Sequence, residues 1–85
     1  MVLMNFLPLT KDQSSVLNEI AFHSKGIDFD TLIFNLDLSY NLRNIRYIHY
    51  ILDYLTENNL LSSEIKNDFN NLVEILKVKN DNSIR

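Results

Sequence analysis

The sequence predicts an all-α fold of four helices, and three observations carry that prediction. The 85 residues include one glycine and one proline, so the turn residues that β-hairpins need are scarce. Apolar residues recur at helical spacing in four separate segments. A side chain able to accept from free helical N–H groups precedes each segment. The length suits one domain, residues 1–85, with an apolar arm over 1–9 and a fraying polar tail over 80–85.

Thr10 followed by Gln13 forms a capping-box signature and opens a first helix running to about Ser24. Val16, Leu17, Ile20 and Ala21 form its buried stripe. Gly26 is placed to take the positive φ that ends it. Asp28 or Asp30 caps a short second helix that ends near Leu36, with Leu32, Ile33 and Leu36 inward. A tight turn follows at Asp37–Ser39, and Leu38 plugs the space between helices. Ser39 or Asn41 caps the third helix, about Tyr40 to Asn58.

The third helix is apolar on two sides. Ile45, Ile48, Leu52 and Leu55 share one face, flanked by Leu42 and Ile51. Tyr47, Tyr50 and Tyr54 share another, with Arg43 among them. Asn58 and Asn59 supply a left-handed residue that stops the helix. Ser62 or Ser63 then caps a fourth, amphipathic helix reaching about Lys79. Its stripe of Ile65, Phe69, Leu72, Val73 and Leu76 is wider than a small core covers. It is expected to pair two copies of the chain as a homodimer.

Composition narrows the function. Hydrophobic residues make up 46% of the chain, a globular share. Cysteine is absent, which removes disulfides and thiolate metal sites and favours an intracellular, cytoplasmic setting. The net charge of −3 argues against a surface that is basic throughout. The N-terminal MVLMNFLPL lacks a positive leader and is interrupted by Pro8, so it reads as neither signal peptide nor membrane span. No Ser-His-Asp or Cys-His spacing, metal-ligand cluster or phosphate loop is present. An enzyme and a cofactor are therefore not expected. His23 and His49 lie far apart, and His49, at the edge of the aliphatic face, reads as a partly buried histidine.

From Val16 to Leu61 the hydrophobic pattern resembles the tri-helical core of helix-turn-helix and winged-helix transcription regulators. VLNEIAF matches the first helix, and DFDTLIFNLDLS matches the second helix and turn. NLRNIRYIHYILDYLTENNLL matches the third helix and its exit, with Asn59 where glycine is common. No wing, the β-hairpin of the winged subset, is readable after Leu61. The resemblance implies a small DNA-binding regulator, of phage, plasmid or other mobile-element type, that acts as a dimer. DNA contact would run through Arg43, Asn44, Arg46, Tyr47 and Tyr50.

Each candidate has a plainer reading. Arg43 and Arg46 can be solvated arginines paired with Asp37 or Asp53. The tyrosines can pack internally, bind a protein or stack on single-stranded bases. The alternative function is an acidic protein-binding module without DNA contact, such as an immunity protein, an antitoxin-like inhibitor or an anti-repressor. Carboxylates at Asp28, Asp30 and Asp37 would then face a basic partner.

Overall fold

A computed structural model describes residues 8–79. The expected N-terminal arm lies mostly outside these residues, and the tail lies wholly outside. Three helices come first and a β-hairpin follows. In chain order the elements are α1 (Lys11–Ala21), β1 (Ile27–Asp28), α2 (Phe29–Asn35), α3 (Leu42–Glu57), β2 (Leu61–Asp68) and β3 (Asn71–Val78). The fold is α+β. The all-α expectation is wrong, and the error lies after Leu61.

The helices begin where local chemistry supplies acceptors. Thr10 and Gln13 complete a reciprocal capping box at α1, with bonds of 3.1 and 3.0 Å. Asp28 accepts from the Thr31 N–H at 3.1 Å and from its hydroxyl at 2.6 Å, capping α2. Asn41 accepts from the Asn44 N–H at 2.9 Å and caps α3. Asp37, at φ 62°, makes the tight turn, and Asn59, at φ 64°, ends the exit from α3. Asp and Asn, with short polar side chains, enter the left-handed region more readily than other L-residues.

α1 stops at Ala21, earlier than expected, and Gly26 is not its terminus. Gly26 has φ 102° and stands directly before β1. A Cβ there would collide with the Ile75 side chain of β3. The glycine therefore lets the Ile75 side chain pack against its backbone as well as letting the chain turn.

The sheet is antiparallel, in the order β1-β3-β2. Ile27 faces Leu76, and β2 pairs with β3 from Leu61↔Val78 to Asp68↔Asn71. Phe69 and Asn70 form the two-residue turn with φ 52° and 69°. Two positive φ values match the right-handed strand twist, as in a type I′ hairpin.

The predicted fourth helix is this hairpin. Its supposed stripe is divided by strand alternation. Leu76 is buried in the core and Val73 is half-buried on the opposite face. Ile65 and Leu72 stand exposed on the distal hairpin, and Phe69 is 91% exposed at its tip. A dimer through a C-terminal helix is thereby excluded. The reading that no hairpin follows the third helix is overturned as well.

The core forms where the sheet meets the helices. Val16 and Ile20 of α1, Leu32 and Ile33 of α2, and Ile48, Ile51, Leu52 and Leu55 of α3 surround Ile27, Leu61 and Leu76. Each such side chain contributes about 1.5–3 kcal/mol when fully buried. Leu36 and Leu38 pack at its edge, so Leu38 plugs the turn as expected. Leu42, expected beside the core, is exposed.

Candidate functional site

The turn before α3 aims its first two turns outward. Leu36 caps α2, and the Asp37 N–H donates to the Phe34 carbonyl at 3.0 Å. The Leu38 N–H donates to the Ile33 carbonyl at 3.3 Å, which pins the plug against α2. Ile48, Ile51, Leu52 and Leu55 then hold one side of α3 in the core. The opposite side must face solvent, and it carries Arg43, Arg46 and Tyr50 at i, i+3 and i+7.

The five residues singled out on α3 separate into two groups. Arg43 and Arg46 are exposed, and Tyr50 is 67% exposed beside them. Among the described residues the ion pairs are His23–Glu19 and Lys66–Glu64, so neither arginine is paired with Asp37 or Asp53. Asn44 is already committed: its amide donates to the Ser39 carbonyl at 2.8 Å and braces the cap. Tyr47 donates to Asp12 Oδ2 at 2.6 Å and ties α3 to α1. The Asp12 carboxylate raises the Tyr47 hydroxyl pKa, because ionisation would break this bond and set two negative charges side by side. Tyr54 is half-buried against the core. The tyrosine stripe is therefore not one surface.

Charge is unevenly spread along the chain. Residues 8–40 carry two lysines against five carboxylates: Asp12, Glu19, Asp28, Asp30 and Asp37. Residues 42–50 carry two arginines and no carboxylate. Asp53 and Glu57 then occupy the exposed side of the last turns. The positive surface of α3 is thus restricted to its N-terminal half. Partial positive charge from the helix end adds to it.

Other groups escaped sequence reasoning. The Tyr40 hydroxyl donates to Asp30 at 2.8 Å, and this bond raises the tyrosine's pKa. Glu19 meets His23 at 3.1 Å and the Asn35 amide at 3.0 Å, joining α1 to α2. The i,i+4 spacing of Glu19 and His23 was a readable sign of that pair. His49 is exposed, with its ring stacked on Phe29 at 4.2 Å and 7°. The partial burial expected of His49 is therefore not found, while His23 is half-buried. Phe22 and Phe34 stand 84% and 80% exposed, which no spacing rule indicated.

Among the described residues no cluster of three metal-binding side chains occurs. Nor is any described helix long and apolar enough to cross a membrane. Comparison with family models, curated proteins and solved structures returned no match.

Proposed function

We propose that the chain is a small DNA-binding regulator of the winged helix-turn-helix kind, which meets duplex DNA with the N-terminal half of α3. The observation that carries the reading is the pair Arg43 and Arg46. They are exposed on the first two turns of a capped helix and lack a carboxylate partner among the described residues. Guanidinium groups at such a position can hold phosphate oxygens or grip guanine O6 and N7. Tyr50 adds a phenol ring on the same side.

Element order supports the same reading. A helix, a short strand, two helices joined by a tight turn and then a β-hairpin are the parts expected of a tri-helical core with a wing. The acidic residues of α1 and α2 and the acidic end of α3 limit the footprint. Few phosphates are engaged, and the affinity falls only shallowly with salt. Asn44 and Tyr47 act as braces for the helix and not as DNA contacts.

Fluorescence anisotropy on a labelled mixed-sequence duplex at low salt tests this. The unmodified protein binds, and the Arg43→Ala/Arg46→Ala variant loses binding while keeping its circular dichroism spectrum. Tyr47→Phe retains affinity. Unchanged affinity in the double variant would rule out this face of α3.

One observation favours a second reading, a protein-binding module. Phe22, the C-cap of α1, and Phe34 on α2 are exposed within residues 8–40, where five carboxylates outnumber two lysines. Aromatic side chains amid charge are common anchors of protein interfaces. The absence of DNA affinity at low salt would move the assignment there.

A further inference from the structure

We propose that two copies of this chain join edge to edge through β2, making one continuous six-stranded sheet. The strand order β1-β3-β2 leaves the outer side of β2 without a strand neighbour among the described residues. Its hydrogen-bonding parity can be read directly. Lys79 N–H donates to the Leu60 carbonyl at 2.9 Å, continuing the β2–β3 register. By alternation Ser62, Glu64 and Lys66 direct their backbone groups at β3. Ser63, Ile65 and Asn67 direct theirs outward, where they await partners.

The side chains select the occupant of that edge. An antiparallel two-fold centred on Ile65 places it opposite the partner's Ile65 as a hydrogen-bonded pair. Glu64 then lies opposite the partner's Lys66, and Lys66 opposite the partner's Glu64. The segment Glu64-Ile65-Lys66 is therefore its own electrostatic complement when reversed. Shifting the axis by one residue sets Glu64 against the partner's Glu64, or Lys66 against the partner's Lys66, so like charges reject both neighbouring registers.

The faces agree with this arrangement. Glu64 and Lys66 lie on one side of β2, with their charged ends 3.9 Å apart. Ile65 projects from the other side and is 61% exposed. Leu72 lies diagonal to it on β3 and is 77% exposed. Pairing would extend this apolar strip across the two-fold axis. The inference is independent of the DNA reading, because the β2 edge and the exposed strip of α3 share no residue.

Sedimentation equilibrium across a concentration series provides the test. The unmodified protein reaches twice its 10.0 kDa chain mass. Glu64→Lys or Lys66→Glu alone raises the dimer dissociation constant about tenfold, since symmetry turns two attractive pairs repulsive. The combined Glu64→Lys/Lys66→Glu variant restores it. Cross-linking gives a second readout, because the chain has no cysteine of its own. Under oxidised glutathione, Ile65→Cys forms a covalent dimer, as a hydrogen-bonded antiparallel pair brings Cα atoms within disulfide range. Phe69→Cys, more exposed but away from the axis, does not. A monomer at every concentration overturns the proposal. So does a charge swap that fails to recover the dimer, or cross-linking of Phe69→Cys as fast as Ile65→Cys.

Discussion

Replacing Gly26 with alanine probes the contact at which β1 joins β3. At φ 102° an L-residue is strained, at a cost of about 1–2 kcal/mol. The added methyl also runs into the Ile75 side chain, and overpacking of that kind costs about 1–3 kcal/mol. Together Gly26→Ala should lose about 2–5 kcal/mol, a large part of the margin of so small a domain. Urea denaturation followed by circular dichroism measures it. Ile75→Ala removes the colliding atoms, so the two changes should not add. The double variant should be more stable than additivity predicts by about 1–3 kcal/mol. Additivity within about 0.5 kcal/mol would mean that Gly26 and Ile75 are not neighbours. The pairing of β1 with β3 would then be wrong.

Two further stability predictions follow from the core and a cap. Leu55 is fully buried on α3, so Leu55→Ala should cost about 2–5 kcal/mol in the same assay; a loss under about 1 kcal/mol would mean the face is misassigned. Asp28→Ala should cost about 1 kcal/mol at neutral pH by removing the α2 cap. Partial burial pushes the Asp28 carboxyl pKa up, but hydrogen bonds from the Thr31 hydroxyl and N–H outweigh it and hold the pKa below its ordinary value. A depressed carboxyl stabilises the fold above its unfolded pKa and loses that contribution as pH falls through its folded pKa. The gap between wild type and Asp28→Ala should therefore narrow in acid. A gap independent of pH would remove the charged cap from the account.

Local chemistry was legible in the sequence and non-local pairing was not. Thr10, Asp28 and Asn41 were read correctly, or as one of two options, because a cap acts within three residues. Ile48, Leu52 and Leu55 were legible because their spacing is the helix's own. The hairpin was missed because Ile65, Phe69, Leu72, Val73 and Leu76 also fit helical spacing. Alternation in β2 is faint, since Ser63 and Asn67 occupy the face that Leu61 and Ile65 share. The readable warnings were Asn70 and Asn71 beside Asp68, and the β-branched Val73, Ile75 and Val78. A phenylalanine at φ 52° could not be anticipated. At the candidate site the exposure of Arg43 and Arg46 follows from their place off the aliphatic face of α3. The bonds of Asn44 to Ser39 and of Tyr47 to Asp12 were not legible, because those partners become visible only once the chain is folded.

The salt dependence of duplex binding tests the central claim most directly. Each arginine that holds a phosphate contributes about 0.9 to the slope of log K against log salt. The unmodified protein should bind with a shallow slope. Arg43→Ala and Arg46→Ala should each flatten it by up to that amount while weakening binding. Affinity and slope both unchanged by the two substitutions, or no binding at low salt, would contradict the assignment of α3 as the DNA-contacting helix.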